Sequence, residues 1–171
     1  MSERNELLSA VGIDYTHLRN LLAMGNWKEA DLETSAVMLQ AAGRGKEGWF
    51  SSESIEKFPC DDLITIDRLW AKYSDGRFGF SAQNTIYFEV GEDFERFGEC
   101  VGWRVSNYWL NYSELTFDIC APTGHLPSGG IGYQRWTRWI EASYCYLAHR
   151  LLSCSESLPD SLISNSADCP Q

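Results

Sequence analysis

The sequence has no GxSxG elbow, no P-loop, no HExxH helix and no strand–GxGxxG–helix dinucleotide unit. The usual backbone frames for a nucleophile, a phosphate or a catalytic zinc are therefore missing. Asp and Glu are plentiful, but no spacing pairs them, and the reading is that the chain is not an enzyme. Basic charge is scarce: 14 Lys and Arg stand against 24 Asp and Glu, for a net charge of −10. That balance excludes the basic footprint of a nucleic-acid binder, though not a small anion held by a few arginines. The start, MSERNELLSAVGIDY, has no basic segment followed by a long apolar run, so neither a signal peptide nor a transmembrane span is expected. No internal repeat and no second domain appear. The six cysteines, at 60, 100, 120, 145, 154 and 169, lack a framework spacing. Reduced thiols in a cytosol-like compartment are the expectation.

What is present is large rings. Hydrophobic residues make up 44% of the chain and aromatics 13%, with seven Trp, eight Tyr and eight Phe. A chain of 171 residues with that content can bury a sizeable core as one domain. Periodicity predicts helices throughout. Asp14 caps one whose apolar face is Leu18, Leu21 and Leu22, ended by Gly25. Another starts near Trp27, turns Ala30, Thr34, Met38 and Ala41 inward, and stops at Gly43, so the two form an αα-hairpin. GRGKEG (43–48) reads as a flexible charged loop. SSESIEKF is a short helix. Pro59 starts the next, with Asp61 and Asp62 complementing its dipole and Leu63, Ile66, Trp70 and Tyr73 in line. The ambiguous FGFSAQNTIYFEV is taken as helix with Ser81 as cap, and a further helix covers roughly 93–103. The last helix runs from about Tyr133 to Ser153, with Trp136, Ile140, Leu147 and Leu151 on one stripe and Arg135, Arg138, Ala142, Cys145 and His149 on another. The expected architecture is a single compact all-α domain: a lead-in over 1–13, a core over 14–154 and a flexible, acidic, Ser-rich tail over 155–171.

The stretch from Trp109 to Arg150 organises the rest. Its loop carries Leu115, Phe117, Ile119 and Leu126 where an ordinary loop would be polar, and it feeds a helix that opens with Arg135 and Arg138 between tryptophans. Apolar walls with a few fixed cations suit a flat, apolar, anionic molecule. Trp49, Phe58, Tyr112 and Phe117 can stack on such a ligand. Cys145 and His149 are four apart on a helix, a spacing that can bind zinc, but no second pair accompanies them and no metal site is expected. His125 is an alternative axial ligand for haem iron.

The runs DYTHLRNLLAMGNWKEADLETSAVML, FPCDDLITIDRLWAKYSDGRFGFSAQ, FGECVGWR and LNYSELTFDICAPTGHLP resemble the core domain of the genomes-uncoupled family, whose members are porphyrin-binding activators of magnesium chelatase in oxygenic phototrophs. The resemblance spans about residues 14–154. It implies a cupped helical core holding protoporphyrin IX or Mg-protoporphyrin IX on its concave face, with two loops closing over the ligand. One loop follows Met38 and Leu39, and the other lies around Tyr112 to Leu126. Family porphyrin-binding positions carry over to Met38, Leu39, Phe58, Phe117, Arg135 and Arg138, with Arg44 a weaker match. The implied partner is the large subunit of magnesium chelatase, and the implied place is the cyanobacterial cytosol or the plastid stroma. The segment SGGIGYQ and the Cys-bearing tail have no match in the family pattern. Alternatives on the same core are a bilin-binding protein, with Cys120 as a thiol for attachment, a haem binder, and a ligand-free interaction domain.

Overall fold

The computed structural model describes residues 7–128 and 138–156, the backbone alone for 138–143. Among the described residues the fold is helical, as expected: α1 (Thr16–Ala23), α2 (Trp27–Ala41), α3 (Ser52–Glu56), α4 (Cys60–Tyr73), α5 (Phe80–Glu89), α6 (Phe94–Cys100) and α7 (Arg138–Glu156). One feature departs from all-α. Arg104–Val105 (β1) and Tyr108–Trp109 (β2) form a two-stranded antiparallel hairpin, turned by Ser106 and Asn107 at positive φ. The expected helix over 93–103 accordingly ends at Cys100.

Helix α4 is the hub, packing on α1, α2, α5 and α7. Its 3.6-residue stripe buries Leu63, Ile66 and Trp70 completely. Trp70 lies stacked near Trp27, ring centroids 6.1 Å apart, and meets Phe78 edge-on at 6.3 Å. Its indole N–H donates to Thr34 Oγ1 at 2.9 Å, and that hydroxyl donates to Ala30 O at 2.7 Å. The ring is therefore buried without an orphaned donor. A second cluster gathers Tyr87, Phe94, Phe97, Val101, Trp103, Leu115 and Tyr144 beyond α5. Gly98 is there because Trp109 lies against it: a Cβ at that position would sit 2.4 Å from the indole.

Three buried aspartates tie other segments to this core. Asp62, in the first turn of α4 as expected of a dipole partner, also accepts from Ala10 N at 2.9 Å and Tyr15 Oη at 2.7 Å. Thr65 Oγ1 also donates to Leu8 O at 2.7 Å, so the expected lead-in is tied down from Leu8 onward. Asp67 accepts from Ser81 N at 2.8 Å and from the Ser81 hydroxyl. Ser81 is thus not the cap of α5. That position belongs to Gly79 at φ 117°, where a Cβ would lie 2.9 Å from Asp67 Oδ1. Burial pushes the Asp67 carboxyl up from its ordinary value, against the pull of its Ser81 hydrogen bonds. The third aspartate, Asp31, belongs to the candidate site.

The expectation of reduced cysteines fails at one pair. Cys60, at the start of α4, and Cys154, near the end of α7, form a disulfide with Cα atoms 5.3 Å apart and a sequence separation of 94. Beside it Arg150 Nε donates to Phe58 O at 2.9 Å. No local spacing could reveal the pair, because tertiary packing of α7 on α3 and α4 brings the thiols together. Cys100, Cys120 and Cys145 are free, and Cys169 lies outside the described residues. The start of the last helix at Tyr133, the residues Arg135 and Trp136, and the tail from 157 also lie outside them.

Candidate functional site

Loop one follows α2. The chain leaves the helix at Gly43 (φ 66°), and Arg44 N donates back to Leu39 O at 2.8 Å. Arg44 then closes the loop on itself: its guanidinium lies 4.5 Å from the Trp49 ring centroid and its Nε donates to Trp49 O at 3.2 Å. Glu47 lies 3.6 Å from the same side chain. Trp49 remains 54% exposed, so the pair forms an aromatic–cation lip. GRGKEG does carry a GxGxxG spacing, but it follows a helix and precedes only the five-residue α3. The strand-to-helix frame that cradles a dinucleotide pyrophosphate is absent there.

Loop two covers residues 110–128 and opens with a 3-10 turn at Tyr112–Glu114. The Tyr112 and Phe117 rings, both half-buried, sit 5.1 Å apart. Lys28 of α2 places its ammonium 5.7 Å from the Phe117 centroid. Asp31, one turn further along α2 and fully buried, accepts from Tyr112 Oη at 2.9 Å, Ser128 N at 2.6 Å and Ser128 Oγ at 3.0 Å. A single carboxylate thereby holds both ends of the loop to one helix.

The middle of loop two is held as firmly. His125 is buried, and its Nε2 accepts from Thr116 N at 3.0 Å. That leaves the proton on Nδ1, which donates to Val101 O at 2.6 Å. Burial holds the imidazole below its ordinary pKa, keeping it neutral. With both ring nitrogens occupied, His125 is not free to be the axial haem ligand considered above. Gln83 Nε2 donates to Gly124 O at 2.9 Å and Pro127 O at 2.8 Å, while Arg77 Nε donates to Ile119 O at 2.8 Å. Cys120, the thiol considered for bilin attachment, is exposed. Its hydrogen bond with Asp118 pushes the thiol pKa up, which disfavours the thiolate needed to attach a bilin.

The structure brings Tyr112 and Phe117 together and sets Leu39 half-buried against the core. Met38, Phe58 and Leu126 are fully buried core side chains, at 2%, 1% and 0% exposure. Leu126 also anchors loop two through its carbonyl, which accepts from Gly79 N at 3.0 Å. Arg44 is engaged within loop one. Arg138 begins α7, but its side chain, like all of Arg135, lies outside the described residues. Sequence reasoning missed Lys28 and Asp31. Lys28 carries no signal in a chain with 14 basic residues. Asp31 sits on the inward stripe of α2, where a carboxylate between Ala30 and Thr34 is the available clue.

A family model described as GUN4-like matches residues 8–146. A Ycf53-like protein of Synechocystis sp. is 38% identical over 124 residues, covering 71% of this chain and 53% of that protein. A chloroplastic protein of Arabidopsis thaliana called tetrapyrrole-binding protein is 35% identical over 122 residues, 64% of this chain and 46% of its own length. The chain spans about half the length of the curated relatives it matches. Among solved structures, GUN4 from Chlamydomonas reinhardtii superposes with a TM-score of 0.70 at 31% identity, covering 83% of this chain and 94% of that one. The ligand-free structure of Arabidopsis thaliana GUN4 gives 0.69 at 30% identity, covering 82% and 99%.

Proposed function

The chain belongs to the GUN4-like family, and on that premise we propose that it is a non-enzymatic tetrapyrrole-binding protein whose ligand lies between loop one and loop two. The observation that carries this reading is the half-exposed Tyr112–Phe117 pair beside the Lys28 ammonium, on a loop already anchored to α2. A porphyrin ring gains roughly 25 cal/mol for each Å² of apolar surface it buries against such a wall. Its propionates need cations. Lys28 supplies one, and Arg135 and Arg138, which precede and open α7 in sequence, supply the others. Because the chain is acidic overall, these cations form a local exception in its field. Leu39, Tyr112 and Phe117 contact the ring, while Met38, Phe58 and Leu126 support that wall from the core. Arg44 and Trp49 form the lip that closes over the ligand.

The preferred ligand is protoporphyrin IX or Mg-protoporphyrin IX, and the protein presents it to the large subunit of magnesium chelatase in chlorophyll synthesis. Support for this finer reading is the family and a relative bearing the name tetrapyrrole-binding protein. The test is a tryptophan-quenching titration with protoporphyrin, Mg-protoporphyrin, a bilin and haem side by side, repeated on Phe117→Ala and on Arg135→Ala/Arg138→Ala. Saturable quenching that favours the cyclic porphyrins and weakens at least about tenfold in each variant is expected, the loss of one buried ring contact or charged pair being worth about 1.4 kcal/mol or more. Bilin preference would move the protein to a pigment-carrying role. No saturable quenching by any of them would overturn the site. Chelatase turnover with and without the chain, at matched porphyrin, tests the partner separately.

A further inference from the structure

Outside the loops, the turn between α5 and α6 meets the middle of α7. A carboxylate oxygen of Glu92, the Sγ of Cys145 and a ring nitrogen of His149 all lie within 4.8 Å of one another, the group of this kind found among the described residues. Two features aim these side chains at a common point. Cys145 and His149 are four apart on α7, so they share a face one turn apart. Glu92 is held at φ 61°, directly after Gly91 at φ 74°, and its amide donates to Tyr87 O at 2.9 Å. That left-handed corner brings its carboxylate onto α7, with Oε2 3.3 Å from His149 Nε2. The Phe88 ring meets the His149 imidazole edge-on at 5.7 Å and steadies it.

We propose that Glu92, Cys145 and His149 form a three-ligand site for a transition-metal cation of the zinc class. The bland alternative is an exposed His–Glu ion pair next to a thiol, an interaction that contributes little and so does not explain why three different donors converge. One nitrogen, one sulfur and one oxygen donor suit a borderline-soft, tetrahedral Zn2+. Bond lengths of about 2.0–2.3 Å imply donor separations of about 3.3–3.8 Å. The present arrangement closes to that by about 1 Å, through rotation of side chains that are exposed at Glu92 and His149 and half-buried at Cys145. On binding, Cys145 ligates as thiolate and its proton passes to the buffer. Three protein ligands leave the fourth position open to water or to a donor from another molecule. The bound cation would clasp the α5–α6 turn to α7, a link made in the absence of metal by the weak Glu92–His149 contact.

The experiment uses the full chain carrying Cys100→Ser, Cys120→Ser and Cys169→Ser, without reductant, so that the Cys60–Cys154 disulfide stays closed and Cys145 is the remaining thiol. Co2+ is the probe. One equivalent should produce a near-ultraviolet sulfur-to-cobalt charge-transfer band and intense tetrahedral visible bands, both bleached by one equivalent of Zn2+. Cys145→Ser should abolish the charge-transfer band. Glu92→Gln and His149→Asn should each weaken Co2+ binding about tenfold or more, since loss even of a group that only orients a ligand costs about 10–100-fold. Zn2+ should also raise the melting temperature of the parent but not of Cys145→Ser. Far-ultraviolet circular dichroism checks that each variant keeps its helices. The proposal is overturned if stoichiometric Co2+ gives no charge-transfer band, if the band survives Cys145→Ser, or if Glu92→Gln and His149→Asn bind as the parent does.

Discussion

Loop one and loop two flank the same proposed ligand but are held in opposite ways. In loop one the contacts of Arg44 are local: it reaches Glu47 three residues on and Trp49 five residues on. Loop two is nailed to distant helices, by Asp31 across 81 and 97 residues, by Gln83 across 41 and 44, and by His125 to Val101 across 24. Local contacts are cheap to make and cheap to break, because the chain entropy they restrict is small. Long-range, buried hydrogen bonds hold a shape before any ligand arrives. The difference is one of anchoring: loop two is braced to distant parts of the fold, while the contacts Arg44 makes are local.

Removing the disulfide sharpens that contrast with the largest expected effect. Opening a 94-residue loop with Cys154→Ser should cost about 2–4 kcal/mol of unfolding free energy, read as a lower urea midpoint. The disulfide joins α4 to α7, whereas Asp31 on α2 is the anchor of loop two. Limited proteolysis of the still-folded variant should therefore cut loop one before loop two, as in the parent. Equal cutting of both would mean that α7, not Asp31, sets the rigidity of loop two.

Asp31→Ala breaks the comparison directly. It deprives Tyr112 Oη and both Ser128 donors of a charged acceptor, at a cost of about 2–3 kcal/mol. Loop two should become as protease-sensitive as loop one, and porphyrin affinity should fall with it. Asp31→Asn, which keeps one acceptor, should recover part of both losses. A variant whose loop two stays protected would show that Gln83 and His125 suffice.

These anchors mark the limit of what the sequence disclosed. The helices were legible because Leu18, Leu21 and Leu22, or Leu63, Ile66 and Trp70, repeat at helical spacing, and because turn residues such as Gly25, Gly43 and the Asp75–Gly76 pair stand at their ends. Tyr112 and Phe117 were legible as large rings in a loop that ought to be polar. What stayed hidden depends on partners far away in the chain. Asp62 read as a helix-dipole residue and Ser81 as a cap, although each takes part in a buried contact that only tertiary structure creates. Met38 and Phe58, which the family resemblance marks for the ligand, and Leu126, from the apolar loop, are all buried in the core. Binding positions and core positions look alike in sequence because an apolar ligand and an apolar core want the same side chains.

His125 tests whether loop two responds to pH. Its folded-state pKa lies below the ordinary 6.5, so as pH falls through that value the unfolded chain takes up a proton that the folded chain refuses. The stabilisation is fully present above about pH 6.5 and is lost progressively below it. Asp67 acts in the opposite sense, since its raised pKa lets the folded state take the proton before the unfolded chain does as pH falls toward the ordinary 3.8. Comparing the parent with His125→Gln isolates the histidine. The variant should lose about 1–2 kcal/mol at pH 8 from imperfect replacement of two buried hydrogen bonds, and its stability should fall less steeply between pH 7 and about 5.5. Parallel pH curves would remove His125 as the acid-sensitive group.

Arg44→Ala carries the smallest expected change in stability and the finest discrimination. A cation over an exposed ring contributes about 0.5–1 kcal/mol, and a surface ion pair such as Arg44–Glu47 about 0–0.5. The melting temperature should hardly move, while proteolysis between 44 and 49 should quicken. Porphyrin affinity then separates two roles for the side chain. If Arg44 only props Trp49 in the lip, affinity should change by less than about threefold, because a local prop is worth well under the 1.4 kcal/mol of a tenfold change. If Arg44 leaves Glu47 to meet a propionate when the ligand binds, the charge-assisted pair is lost in the variant and affinity should fall about tenfold or more. The second outcome would make loop one a closing element that exchanges the Arg44–Glu47 contact for the ligand.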